Sequence, residues 1–151
     1  MGITIDDAIA ADAQVICDFN RLLALETENI RLNPERVLAG VHALLSDPTK
    51  GRYWLAKDGA RIVGQVMVTY EWSDWSNASY WWLGSVYVDA EYRGQGIFKN
   101  LFEHVAQMAQ ADAAAAIRLY VEHDNHRAQN VYRNLGMSNS HYHIMALELS
   151  V

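Results

Sequence analysis

Ser85-Val86-Tyr87-Val88-Asp89-Ala90-Glu91-Tyr92-Arg93-Gly94-Gln95-Gly96-Ile97-Phe98-Lys99 is the stretch on which the fold turns. Its first four residues are β-branched or aromatic, the composition of a strand. Arg93 to Gly96 is a glycine-rich turn. Beyond it Phe98, Leu101, Phe102, Val105, Met108 and Ala109 recur on one helical face. A helix start carries unpaired backbone N–H groups and the positive end of the peptide dipole. Glycines let that backbone approach an anion with no Cβ in the way. Strand, glycine turn and helix together describe a pyrophosphate cradle; a plain strand-to-helix turn is the alternative. A P-loop is excluded because no Gly-Lys-Ser/Thr follows. A dinucleotide fingerprint is excluded because the third glycine is missing.

Working outward, Tyr80 to Val88 reads as one strand. Before it, Tyr53 to Lys57 and the run Ile62 to Tyr70 flank Asp58-Gly59, a hairpin signal. Ser73 to Ser79 reads as a polar turn. Val15, Ile16, Phe19, Leu22 and Leu23 mark a helix from Asp12 to about Glu28. Asn33-Pro34-Glu35 starts a second helix, which Asp47-Pro48 ends. Ile3 and Ile5 indicate a short first strand. Downstream, Ile117, Leu119 and Val121 alternate as a strand. Ala128, Val131, Tyr132 and Leu135 form a short helix closed by Gly136, and His143 to Leu149 reads as a last strand. The order predicts an α/β domain built on a mixed sheet, continuous over 1–151.

Composition narrows the class. The chain has 151 residues, 51% hydrophobic and 20% charged, which suits one globular domain and not disorder. No apolar run is long enough to span a membrane. The first residues show no basic, apolar leader, and Cys17 has no partner for a disulfide, so a cytoplasmic protein is expected. Twelve basic residues against 18 acidic give a net charge of −6, which disfavours nucleic acid and permits a cationic ligand. His123 and His126 lack further ligands at metal-binding spacing, so no metal is expected.

A second motif lies in Asn125-His126-Arg127-Ala128-Gln129-Asn130-Val131-Tyr132-Arg133-Asn134-Leu135-Gly136-Met137. With it the chain resembles the GNAT family of N-acetyltransferases. That family's Arg/Gln-x-x-Gly-x-Gly/Ala is matched from Arg93 to Gly96. Its Asn-x-x-Ala-x-x-x-Tyr-x-x-x-Gly-Phe is matched by Asn125, Ala128, Tyr132 and Gly136. The resemblance implies an acyl-CoA N-acyltransferase fold: a mixed, mostly antiparallel twisted sheet, splayed at its centre between the fourth and fifth strands, with flanking helices. It implies acetyl-CoA as cosubstrate. The fourth-strand backbone at Val86, Tyr87 and Val88 would bind pantetheine, and Arg93, Gly94, Gln95, Gly96, Ile97, Phe98 and Lys99 would hold the pyrophosphate. Asn125, Ala128 and Tyr132 would complete the cofactor set. Family members are often homodimers. Two positions depart from the pattern: Phe98 stands for a small residue and Met137 for Phe.

Acetyl transfer needs an amine that has lost a proton. A lysine-like amine, with a pKa of about 10.4, is neutral in roughly one molecule in 2,500 at pH 7, a penalty of about 4.6 kcal/mol. A base or a water relay is therefore expected. The resemblance assigns Tyr132 as the acid that protonates the leaving thiolate; from the helix alone it is equally a core residue beside Ala128 and Val131. A polyamine-acetylating subgroup carries a carboxylate pair on its fourth strand, where this chain has Gly84 and Ser85. Glu71 and Asp74 are then candidates for acceptor contact or a water-relayed base, or else belong to a solvated turn.

Glu26 and Glu28 end a helix where the dipole disfavours carboxylates, so they join Glu71, Trp72 and Trp82 as the expected acceptor set. Trp81 and Trp82 alternate across the strand, so one faces the core. The reading is an acetyl-CoA-dependent enzyme for a small, cationic primary amine. A non-catalytic acyl-CoA sensor and a peptide N-acetyltransferase are the alternatives.

Overall fold

The computed structural model describes residues 2–150. Five strands form one sheet in the order β1-β2-β3-β4-β5: β1 is Ile3–Asp7, β2 Arg52–Asp58, β3 Arg61–Ser73, β4 Ala78–Val88 and β5 Ala116–Leu119. The first four are antiparallel neighbours, and β5 runs parallel to β4. Four helices accompany them: α1 (Ala13–Glu28), α2 (Pro34–Leu45), α3 (Ile97–Ala111) and α4 (His126–Asn134). The expected class, a mixed and mostly antiparallel sheet with helices, is the observed one.

The caps follow from the local sequence. Asn33 Oδ1 accepts from the Arg36 N–H and Pro34 opens α2. The α1 helix stops at Asn29, whose φ of 54° is left-handed and whose N–H returns to the Leu25 carbonyl. One face of the sheet packs Tyr53 and Leu55 against Ala13, Ile16 and Val41 of α1 and α2. The other carries Trp54, which stacks on Trp81 at 6.2 Å and meets His104 of α3. Trp81 is therefore the core member of its pair, and Trp82 is on the α1 side.

The feature that positions the site is in β4. Gln65 pairs with Tyr87 and Met67 with Gly84, so Ser85 and Val86 together oppose Val66 in a bulge. Ser85 takes a φ of 47°, rare for a residue with a side chain. Pairing of β4 with β5 runs from Tyr80↔Ala116 to Leu83↔Leu119 and stops there. Past Leu83 the β5-side edge of β4 has no strand partner among the described residues. This is the splay that the resemblance implied.

Two expectations change. The β3–β4 hairpin is longer than the polar stretch suggested: Trp72 pairs with Ser79 and Ser73 with Ala78, and the turn shrinks to residues 74–77, where Asn77 adopts a φ of 48°. The strand expected over His143 to Leu149 does not form; residues 138–150 hold neither helix nor strand. Its alternation is real, but alternation alone does not pair a segment with a strand. The chain forms two compact units, the first ending at Tyr120 and the second starting at Val121. The second unit holds α4, capped by Asn125 and followed by Gly136 at a φ of 98°.

Candidate active site

In the first unit the glycine turn is open. Gly94 and Gly96 have φ values of 78° and 79°, and a Cβ built on either would meet nothing within 4 Å. Gly96 is the N-cap of α3, so the free N–H groups of that helix start beside it. Gln95 and Lys99 are exposed and Ile97 is buried as the anchor of the turn. The Phe98 ring lies 6.2 Å from Phe102, one turn along the same helix. The bulky substitute thus packs along α3, and the backbone donors of the turn remain.

Arg93 points away from this turn. Its Nη2 donates to Glu26 Oε1 at 2.8 Å, its Nε donates to the Val88 carbonyl, and its guanidinium carbon lies 5.3 Å from the Tyr87 ring centroid. The Tyr87 hydroxyl donates to the other oxygen of Glu26. These bonds, Tyr87 first and Arg93 second, hold the Glu26 carboxyl below the usual carboxylate range. Burial, and then the hydrogen bond to Glu26, push the Tyr87 phenol up to about 12. Val86 and Val88 are half-buried on the same strand.

Glu71 lies elsewhere. It pairs with Tyr80 near the start of β4, accepts from Trp82 Nε1 at 2.9 Å, and stands 3.7 Å from Arg118. Trp82 stacks on Tyr120 at 4.5 Å. Trp82 and Tyr87 are five residues apart on one strand, roughly 16 Å by strand rise. Glu26 thus sits with Tyr87 and Arg93, and Glu71 with Trp82 and Arg118, at different places along β4. Glu28 is exposed at the end of α1, and Trp72 is exposed on the hairpin.

Two groups escaped the sequence reading. Gln65 is fully buried and is the one buried polar residue among those described; its Nε2 donates to Asn20 Oδ1 and to the Ser85 carbonyl. Asn20 donates in turn to the Tyr53 hydroxyl. A glutamine inside Val63-Gly64-Gln65-Val66 was the available signal. Arg118, in Ile117-Arg118-Leu119, was hidden by its alternation, which reads as an ordinary outward position.

In the second unit, Asn125 Oδ1 accepts from the Ala128 N–H, so Asn125 acts as a helix cap. Tyr132 is half-buried, and burial raises its phenol above the ordinary value. A phenol so shifted stays protonated through neutral pH. Among the described residues no three His, Cys, Asp or Glu side chains come together to hold a metal, and no helix is long and apolar enough to cross a membrane.

Comparison with known proteins bears on this arrangement. Residues 18–137 match the model of the acetyltransferase (GNAT) family. The bovine (Bos taurus) thialysine N-epsilon-acetyltransferase is 35% identical over 78 residues, 52% of this chain and 45% of that protein. The chain thus spans about half the length of the curated relatives it matches. The crystal structure of a possible acetyltransferase from Clostridium difficile 630 superposes with a TM-score of 0.94 at 40% identity, over 99% of both chains. A predicted acetyltransferase from Clostridium acetobutylicum, solved with acetyl-CoA, shares the fold at a TM-score of 0.78 and 15% identity, over 99% of this chain and 96% of that one.

Proposed function

The chain belongs to the acetyltransferase (GNAT) family, and on that premise we propose that it moves an acetyl group from acetyl-CoA to a primary amine of a small, cationic acceptor in one direct step. The observation that carries this reading is the early end of the β4–β5 ladder beside the open glycine turn. An edge of unpaired strand amides suits pantetheine, which binds as an added strand does. Helix-start donors at Gly96 and Ile97 suit the pyrophosphate. The crystal structure with acetyl-CoA and the bovine relative's name support this choice of donor and of a small amine acceptor.

In this reading the neutral amine attacks the thioester carbonyl and the thiolate leaves. A thiolate of intrinsic pKa about 8.5 takes its proton from a phenol of higher pKa; Tyr132 supplies it. Glu71 contacts the acceptor or relays its proton through water. Val86, Tyr87, Val88, Asn125 and Ala128 serve the cosubstrate.

The alternative is a non-catalytic acyl-CoA sensor. It is favoured by Gly84 and Ser85, which place no carboxylate on β4 where a related subgroup has two. The experiment is acetyl-CoA consumption against polyamines, amino acids, aminoglycosides and peptides. CoA release with a small amine supports transfer. Tight acetyl-CoA binding with no release for any acceptor supports the sensor.

A further inference from the structure

Between the sheet and the end of α3 lies a cavity of about 260 Å³, lined by Arg52, Tyr70, Trp81, Met108, Ala111 and Asp112. Tyr70 and Trp81 are paired across β3 and β4, and their rings meet at 68° with centroids 5.4 Å apart. Two rings so set form the corner of a box. Glu71 and Trp82, the next residue on each strand, turn to the opposite face. The glycine turn is at the other end of α3, about 21 Å of helix away. Arg52 is already answered: its Nη2 donates to Asp7 at 2.8 Å and its guanidinium carbon lies 4.7 Å from the Trp54 ring centroid. Asp112 is not. It caps α3, whose last turn holds no basic residue, and among the described residues its carboxylate has no ion-pair partner. It therefore adds to the negative end of the helix dipole. Burial raises the Tyr70 phenol above its ordinary value, with Arg52 drawing it down and Asp112 lifting it, so both charges reach this corner. Trp81 is 3% exposed, and its indole N–H is buried without an acceptor.

An unanswered carboxylate beside two ring walls selects a cation. The hydrogen-bonding groups decide which kind. A primary ammonium brings three N–H donors. The carbonyls at the end of α3 are engaged, since Met108, Ala109 and Gln110 accept from Asp112, Ala114 and Ala113. Among the lining side chains only Asp112 and the Tyr70 hydroxyl offer oxygen. A methylated ammonium has no donors to satisfy, and its methyl groups pack on ring faces and on Met108. An oxygen two carbons from the cation gives the Trp81 N–H the acceptor it lacks. We propose that this cavity binds a small trimethylammonium alcohol of the choline type, its cation held by Tyr70, Trp81 and Asp112 and its oxygen by the Trp81 indole. Such a cation has no N–H to acetylate, so it is a second ligand and not the amine acceptor. The inference does not depend on the acetyl-transfer reading above.

The test is calorimetry on the full chain without acetyl-CoA, using three probes. These are choline, its uncharged analogue with a tert-butyl group in place of trimethylammonium, and ethanolamine, the same alcohol on a primary ammonium. The Trp81 indole N–H resonance, assigned from Trp81→Phe, is followed by NMR. Choline should bind with a Kd of about 1 mM or tighter, the uncharged analogue at least about tenfold more weakly and ethanolamine at least about threefold more weakly. Asp112→Asn and Tyr70→Leu should each weaken choline at least about threefold, with acetyl-CoA affinity unchanged in both. Choline should also move the Trp81 resonance. Asp112 is exposed, so its variant tests the site even if Tyr70→Leu fails to fold. No saturable choline binding below about 20 mM overturns the proposal. So does equal binding of the uncharged analogue or of ethanolamine, wild-type affinity in Asp112→Asn, or an unmoved Trp81 resonance. Displacement of choline by acetyl-CoA also overturns it, by assigning the cation to the cosubstrate cleft. Acetyl transfer stands or falls separately, on CoA release.

Discussion

The hydroxyl of Tyr87 donates to the carboxylate of Glu26, 61 positions earlier in the chain, and Arg93 closes the triangle from the mouth of the glycine turn. One carboxylate thus ties the end of α1 to β4 and to the turn. The contact explains how a helix can end on two glutamates against its own dipole: Glu26 faces a guanidinium rather than water alone. It also fixes the Arg93 side chain against Glu26, Tyr87 and the Val88 carbonyl.

Glu26→Gln tests this tie through pH. The folded carboxyl lies below its unfolded value of about 4.3. Its stabilising contribution is therefore present above that value and lost as pH falls through the folded one. The pair is partly solvated, so a loss of about 1 kcal/mol, or roughly 2–4 °C in Tm, is expected at pH 7. The gap between variant and wild type should close as the pH drops below about 4. A gap that stays constant from pH 7 to pH 3 would remove the ionised pair as its cause.

Gly94→Val and Gly96→Val separate strain from ligand access. Neither new side chain meets protein within 4 Å at its Cβ, so no clash is expected. Each residue would hold a left-handed φ, at a cost of roughly 1–2 kcal/mol. Both variants should fold, melt a few degrees lower, and bind CoA at least about tenfold more weakly by calorimetry. Full CoA affinity in both would take the anion-binding role away from the turn.

The elements that local chemistry dictates were legible in the sequence: the Asn33-Pro34 helix start, the Asp58-Gly59 hairpin and the glycine turn. What escaped depends on residues far apart in the chain. The bulge at Ser85 is met by Gln65, 20 residues away, whose amide donates to its carbonyl. The placement of Glu26 depends on Tyr87 and Arg93, and the exposed tail shows the converse. Met145, Leu147 and Leu149 alternate as a strand would, yet are 94%, 86% and 76% exposed. Periodicity tells which face would be apolar, and not whether the segment pairs with a neighbouring strand.

Tyr132→Phe addresses the leaving group. Burial keeps the phenol protonated, and the variant loses only the hydroxyl. If Tyr132 protonates the thiolate, kcat should fall by about 10²-fold, at the low end for general acid catalysis, with acetyl-CoA affinity nearly unchanged. Single-turnover measurements check that chemistry is the step observed. An unchanged single-turnover rate assigns Tyr132 to packing.

Gln65 offers a sharper test, because two substitutions of nearly equal size pull in different directions with pH. Its amide donates to both Asn20 and the Ser85 carbonyl in a site with no solvent access. Gln65→Leu leaves both acceptors without that donor, at a cost of about 1–3 kcal/mol independent of pH. It also frees the Ser85 peptide from the bond that holds its left-handed conformation. Acetyl-CoA KM should therefore rise if the bulge shapes the cosubstrate edge. Gln65→Glu can keep one donor, but only while protonated. Burial beside two oxygen acceptors raises its carboxyl above the unfolded value of about 4.3. The variant's stability relative to wild type is then greatest below that value and lost as pH rises through the folded one. Gln65→Glu should approach wild-type Tm near pH 4 and fall well below Gln65→Leu at pH 8. Parallel Tm profiles for the two variants would mean that the buried amide does not act as a donor to the bulge.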